Sequence, residues 1–328
     1  MSRARDHHAW NGARIPEHDG GHYESWFLRA NHPARPLAFW IRYTAFSPRG
    51  RPDARAGELW AIWFDGARGI TLAHKHSLPW VACTFARDRL GVRLGEATLD
   101  DAHLRGALGE IAWALDYTRP RPPLLLLPEA LYEGPFPKAK ALVPAPMAVF
   151  GGTLQVAGET IEVRDWVGSQ CHNWGSRHTD HYAWGQVAGF DDGPEVFLEC
   201  ATARVRVGPF STPWVTLVVV REGTREWAVR SLWHGARARA TLEAGRWSFE
   251  ARDGRTTITA EFTAPAEAFV GLHYGNPPGG EKICLNSKLA RCRLEIRDGT
   301  EVRRYETRHR AAFERLVDEA PRDIPLSI

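Results

Sequence analysis

Apolar and polar residues alternate with a period of two over short runs, and the runs end at Gly, Pro, Asp or Asn. That is the pattern of antiparallel strands with one face buried. Leu37–Ala45 reads as a strand, followed by a Pro/Gly/Arg loop over Ser47–Gly57 and a second strand over Glu58–Phe64. In the second half three hairpins are predicted. Thr216–Arg221 and Arg225–Arg230 flank Glu222-Gly223-Thr224, Arg246–Ala251 and Thr256–Phe262 flank Asp253-Gly254, and Leu294–Arg297 and Glu301–Tyr305 flank Asp298-Gly299. Such turns need positive φ, which Gly and Asp tolerate. The runs Leu124–Leu127 and Val215–Val220 suit buried strands. Within Leu104–Tyr117 the spacing of Ile111, Trp113, Leu115 and Tyr117 favours a strand, since Gly106 and Gly109 weaken a helix by about 1 kcal/mol each. Ala311–Glu319 is the best helix candidate. Strands do not alternate with long amphipathic helices, which disfavours a parallel α/β sheet.

The Pro-rich stretch 120–146 reads as an extended crossover and divides the chain into 1–150 and 151–328. The halves share a weak repeat: His22–Trp26 and His181–Trp184 open strands, followed by AFWIRYT or VFLECAT and then by ELWAIWF or WVTLVVV. Duplication and generic β patterning both account for it.

Composition narrows the function. The 328 residues carry 42 Lys plus Arg against 39 Asp plus Glu, a net +3 too even to argue for nucleic acid. No apolar run approaches the ~18 residues that span a bilayer, and MSRARDHHAW has no apolar signal region. Five cysteines without CxxC spacing read as reduced thiols of a cytoplasmic protein. The 14 tryptophans point to an aromatic core or a wide apolar pocket.

Chemistry concentrates in Asp165–Asp191, which holds three His, three Trp, one Tyr, three amides and three Asp in 27 residues. On a strand, Tyr182, Trp184 and Gln186 share one face, opposite a face of small residues. Such a face is either the wall of an apolar ligand cavity or a barrel core with one satisfied glutamine. Glu199 sits mid-strand among apolar neighbours. Facing inward, its carboxyl group is expected to stay protonated and able to protonate an alkene; facing outward, it is an ordinary surface glutamate. His172, His178, Asp180 and His181 lack metal-site spacing, so no metal is expected. There is no G-x-S-x-G, no dinucleotide fingerprint and no P-loop, so no nucleotide cofactor is indicated. His22, Tyr23, Glu24 and Trp26 are either a matching wall from the first half or structural. The same alternatives hold for Asn286 and Lys288, which interrupt an apolar run after GNPPGG.

The segments GGHYESWFLRANHP and HNWGSRHTDHYAWGQVAGFD resemble the AttH-type lipocalin-like superfamily, which includes carotenoid 1,2-hydratases, tocopherol cyclases and fungal Diels–Alderase-like pericyclases. The resemblance covers roughly residues 18–310, and those two motifs are its specific part. It implies an all-β fold of two lipocalin-like antiparallel barrels packed together, with a ligand pocket within or between them; the short C-terminal helix is expected from Ala311–Glu319 alone. In the hydratase branch H-x-W and a downstream acid are associated with protonating an isoprenoid double bond. His172 and Trp174 match the motif; Glu199 takes the acid's place, where aspartate is usual. Tocopherol cyclases share N-W-G, here Asn173-Trp174-Gly175, and W-x-Q, here Trp184-Gly185-Gln186. The resemblance thus implies a cofactor-independent cyclase or hydratase. Glu199 is its acid, His172 tunes it, Trp174 and Trp184 face the cation, and Tyr182 and Gln186 orient substrate or water. A lipophilic carrier and a pericyclase are the rival readings. The partner is a hydrophobic small molecule, collected by transient contact with a membrane surface if it lies there. Nothing in the sequence sets the oligomeric state.

Overall fold

The computed structural model describes residues 10–18, 20–207, 209–321, 324 and 326. The segment 1–9, expected to hold no signal, lies outside them. The first sheet contains β1 (His22–Asn31), β2 (Leu37–Ser47), β3 (Ala56–Asp65), β4 (Ile70–Pro79), β5 (Cys83–Phe85), β6 (Gly91–Leu94), β7 (Ala97–Asp100), β8 (His103–Leu108), β9 (Ile111–Thr118), β10 (Leu124–Leu125), β11 (Ala139–Val156) and β12 (Glu159–Gly175). The second contains β13 (His181–Ala188) and β14 (Val196–Arg204). After the small ribbon of β15 (Arg206–Val207) and β16 (Phe210–Ser211), it continues with β17 (Val215–Glu222), β18 (Arg225–Val229), β19 (Arg239–Glu243), β20 (Arg246–Asp253), β21 (Thr256–Thr263), β22 (Val270–Gly275), β23 (Glu281–Asp298) and β24 (Glu301–Val317).

The two sheets follow one path twice. The order β4-β3-β2-β1-β12-β11-β9-β8-β7 is matched by β18-β17-β14-β13-β24-β23-β21-β20-β19. The off-path pairing of β10 with β11 is matched by that of β22 with β23. The sequence repeat is therefore a repeat of topology. Each sheet curls around its own core. Leu59 and Trp63 of β3 share a cluster with Leu104 and Leu115 of β8 and β9, and the Trp113 indole donates to the Tyr43 hydroxyl at 3.1 Å across that interior. In the second sheet Trp247 stacks on Phe262 with centroids 5.0 Å apart and donates to Thr202 Oγ1 at 3.1 Å. Gly185 permits this packing, since a Cβ there would lie 2.4 Å from the Phe262 ring.

Residue 150 falls inside β11. The first sheet is completed only by β12, and the chain passes to the second sheet between Gly175 and His181. The stretch 120–146 is a crossover only as far as residue 138, after which β11 begins at Ala139. Leu104–Tyr117 is two strands, with Gly109 turning between them at φ 58°. The expected helix at Ala311–Glu319 is instead the end of β24. That segment pairs with β13 on one side and β23 on the other, and Ala311–Glu314 is buried throughout. A strand buried on both faces loses its alternation and cannot be told from a helix by period. Among the described residues the one α-helix is Leu232–Gly235, and no helix is long and apolar enough to cross a membrane. All five cysteines are free thiols.

Candidate active site between the sheets

Alternation decides what each strand sends outward from its own core. On β1, Trp26 and Leu28 enter the first core, so Tyr23, Ser25, Phe27 and Arg29 face the second sheet. Across the ladders Phe27 stands opposite Arg42 and Cys171, and Ser25 opposite Asn173. On the second sheet Ala183 and Val187 enter the core, leaving Tyr182, Trp184 and Gln186 on the face toward the first. Trp184 stands opposite Ala201 of β14 and Glu314 of β24, and Glu314 stands opposite Asn286 of β23. A third apolar cluster joins these faces, with Phe27, Trp40 and Trp60 from one sheet and Trp184, Leu217 and Tyr274 from the other.

A cavity of about 410 Å³ opens within that layer. Phe27, Trp40 and Arg42 form one wall, and Tyr182, Trp184, Leu217 and Tyr274 the other. Leu126, Leu127, Phe136 and Pro137 of the crossover close a third side. Phe136 and Leu232 line the cavity and are themselves 52% and 37% exposed, which places the mouth beside them. Glu314 is the only carboxylate among the described lining residues. Its Oε1 accepts from Lys288 Nζ at 2.7 Å and from Asn286 Nδ2 at 3.1 Å, while Cys284 Sγ lies 3.6 Å from Oε2. Lys288 also donates to Asn286 Oδ1 at 2.5 Å, and its Nζ lies 5.6 Å from the Trp184 ring and 5.7 Å from that of Trp40. Burial pushes the Lys288 ammonium below the usual lysine range, opposed by Glu314.

Glu199 faces the same layer but does not reach the cavity. It is 2% exposed, and accepts from Trp184 Nε1 at 2.7 Å and Gln186 Nε2 at 2.8 Å. Burial raises its carboxyl to about 7 against these two bonds. Gln186 also accepts from Arg29 Nε at 2.9 Å and from Ser169 Oγ at 2.6 Å, so a buried polar seam ties the two sheets together beside the cavity.

No family model matches the chain. Uncharacterized proteins from two strains of Mycobacterium tuberculosis are 27% identical over 291 residues, covering 88% of this chain and 83% of theirs. An AttH-like protein of Nitrosomonas europaea superposes with a TM-score of 0.60 at 13% identity, covering 95% of this chain and 96% of that one. Kievitone hydratase of Nectria haematococca superposes at 0.57 and 9% identity, covering 92% and 90%. CghA, also solved with Sch210972, superposes at 0.62 and 11% identity, covering 94% of each chain. The chain has the AttH-type lipocalin-like fold.

Within this AttH-type fold the residues singled out from sequence separate into two places. Tyr182, Trp184 and Asn173 line the cavity. Gln186, Glu199 and Asn286 stand directly behind its wall. His172, Trp174, His22, Glu24 and Trp26 are on the opposite face, inside the first barrel, because neighbours on an extended strand point apart. There Glu24, fully buried, accepts from the His172 ring at 2.7 Å, the His22 ring at 3.0 Å and the Arg14 N–H at 2.9 Å. The bonds from His172 and His22 hold its carboxyl below the usual glutamate range despite burial, and burial pushes the His172 imidazole down. Trp26 stacks on His172 at 4.9 Å and donates to the Asn11 carbonyl at 3.0 Å. Arg14 covers Trp174 at 4.4 Å. This network fastens residues 10–15 across the first barrel, and none of its polar groups lines the cavity. His172→Ala is therefore expected to cost about 3 kcal/mol in urea unfolding, as for a buried charged group that loses a hydrogen-bond donor, with ligand affinity in the cavity kept within about twofold.

His178 lines the cavity and stacks on Tyr23 with centroids 4.0 Å apart. Burial, aided by the positive field of Arg42, drives its imidazole down to about 3. The unfolded chain titrates near 6.5. Stability from the neutral imidazole is therefore complete above pH ~6.5 and lost as pH falls toward 3, at about 1.4 kcal/mol per unit. His178→Phe, which retains the stack, is expected to remove that slope between pH 6.5 and 4.5 in urea melts.

Glu314, Arg42, Tyr274 and the crossover residues are the lining that the sequence reading missed. Glu314 was hidden by the helix assignment. Read as a strand, AAFERL places a carboxylate between Ala312 and Leu316 on one apolar face.

Proposed function

We propose that this chain is an enzyme of hydratase or cyclase type that adds a proton to an alkene of a hydrophobic isoprenoid or polyene held between its sheets. The observation that carries the reading is Glu314, a lone carboxylate on the wall of an aromatic cavity, backed by a cation that can resupply its proton. The occurrence of a hydratase on this fold adds support.

In this mechanism the Glu314 carboxyl gives its proton to one alkene carbon, and the π electrons form the new C–H bond. The neighbouring carbon becomes a tertiary cation, which the faces of Trp184, Trp40 and Tyr182 stabilise. Water or an internal hydroxyl adds through its oxygen lone pair, and its surplus proton returns to Glu314. Lys288, whose ammonium burial has weakened, passes its proton to Glu314 before the step and takes the returned proton back after it, so the pair rests as ammonium and carboxylate. Glu199 acts through Trp184, fixing the indole by the Nε1 bond. The chemistry needs no cofactor. The apolar walls limit stray capture of the cation by water.

The test is incubation of wild type and Glu314→Gln with prenylated phenols and linear polyenes in D₂O, read by mass spectrometry. The expected result is one carbon-bound deuteron per product molecule from wild type and none above background from Glu314→Gln. Ligand recovered unaltered from wild type would mean a carrier. Product without deuterium, formed equally by both proteins, would mean a pericyclase that works by shape.

A further inference from the structure

The polar lining of the cavity is one-sided. Three cations line it (Arg42, Lys140 and Arg204) against the single anion Glu314. Lys140 is engaged by the Gly134 and Pro137 carbonyls, each at 2.8 Å. Glu314 has Lys288 at 2.7 Å, and Glu58, the other carboxylate whose field reaches Arg42, has Lys75 at 3.0 Å. Lys75 and Lys288 thus offset Glu58 and Glu314, and Arg42, Lys140 and Arg204 have no carboxylate partner among the described residues, so the lining is net positive.

Arg42 is 6% exposed. Its guanidinium carbon lies 4.4 Å from the Tyr274 ring centroid and 5.7 Å from that of Trp60, so aromatic faces hold it in place. Its Nε has no hydrogen-bond partner. Trp40, two residues earlier on the same face of β2 and also lining the cavity, has its indole N–H without a partner. Arg204 Nε is a third such donor in the lining. All the unpartnered buried side-chain atoms in this lining are thus donors. Buried donors are costly to leave unpaired, so a ligand that fits must bring acceptors as well as apolar surface.

The geometry points to a ligand with an apolar body and one carboxylate group, received by Arg42 with help from the Trp40 indole N–H. This inference rests on reading the inter-sheet cavity as the ligand site. A negative charge offsets the positive excess of the lining, and a planar two-oxygen group suits the guanidinium fork of Arg42. The carboxylate anchors on the first sheet, and the body lies against Trp184 and Leu217 of the second, which turns the middle of the molecule toward Glu314.

The test is fluorescence titration with cis-parinaric acid and with its methyl ester, whose bodies are the same and whose heads differ by the charge. Wild type is expected to bind the acid about 30-fold tighter than the ester or better, the range seen when a buried charge pair loses one partner. Arg42→Met should remove that preference and leave ester binding within about threefold, and Arg42→Lys should fall between them. Equal affinity for acid and ester in wild type overturns the carboxylate inference and leaves the cavity reading standing. Failure of wild type to bind either probe overturns the cavity reading and this inference with it. Displacement of bound ester by dodecyl phosphate ahead of dodecanoic acid reassigns the head group and overturns the carboxylate. Should Arg42→Met fail to fold, the wild-type ratio and Arg42→Lys still decide.

Discussion

Glu314→Gln is expected to slow product formation by about 10²- to 10⁴-fold, the contribution of a positioned acid or base. Affinity for the hydrophobic ligand should stay within about threefold, because Gln has nearly the same volume. Its side-chain oxygen can still accept from Lys288 and Asn286, which lie 2.7 and 3.1 Å from Glu314 Oε1. What disappears is the transferable proton. The substitution also strands the Lys288 ammonium, fully buried, without its counter-charge. A loss of about 3 kcal/mol in stability is therefore expected alongside the loss of rate. The two effects separate in the double variant with Lys288→Met, which should regain stability while remaining inactive. Recovery of activity together with stability would show that Glu314 only holds the fold. Single-turnover product yield by mass spectrometry and urea melts of the same samples supply both numbers.

The second large effect is expected from Trp184→Ala. The indole is nearly buried, stands edge-on to Phe27 at 6.0 Å and is the donor to Glu199 at 2.7 Å. Truncating a core tryptophan costs about 3–5 kcal/mol from lost burial and the void left behind. Ligand affinity should fall as well, since the second wall of the cavity is gone. The loss also depends on pH. Burial already raises the Glu199 carboxyl to about 7 in the folded chain. A raised carboxyl contributes stability fully below its unfolded value near 4.5 and loses it as pH rises through the folded value. Without the indole N–H the charged form has one donor fewer, so the folded value moves higher still. Trp184→Ala should therefore be more destabilised relative to wild type at pH 8 than at pH 5 in urea melts. Trp184→Phe, which keeps a wall and removes the N–H, should show most of the pH effect with less of the constant loss. A wild-type-minus-variant difference that is flat with pH would separate Glu199 from the wall.

How far the sequence could be read depended on what each strand touches. The face shared by Tyr182, Trp184 and Gln186 was legible because its other side is small and apolar, so the period of two is plain. The hairpins were legible from their glycine turns, two of them Asp-Gly. The H-x-W motif misled because a motif is read as a unit, whereas an extended strand sends adjacent residues to opposite sides. Of HNWG only Asn173 reaches the cavity, and β1, whose Ser25 stands opposite it, is distant in sequence. Glu314 was illegible for another reason: β24 is covered on both faces, and its near-continuous buried run has no period to read. Arg42, in AFWIRYT, was open to view. Alternation sets Ala38, Trp40, Arg42 and Thr44 apart from Phe39, Ile41 and Tyr43, and an arginine facing away from one core needs either solvent or a second surface to meet. The boundary placed at residue 150 followed proline density, but prolines at 144 and 146 lie within β11, where the ladder is bulged.

The most direct measurement is a crystal structure of the protein with a bound polyene acid. The chain of the ligand is expected between the two sheets, against Phe27 and Trp184, with a carbon within about 4 Å of the Glu314 carboxyl group. A ligand seated inside either barrel, with the space between Trp184 and Trp40 closed by protein side chains, would contradict it.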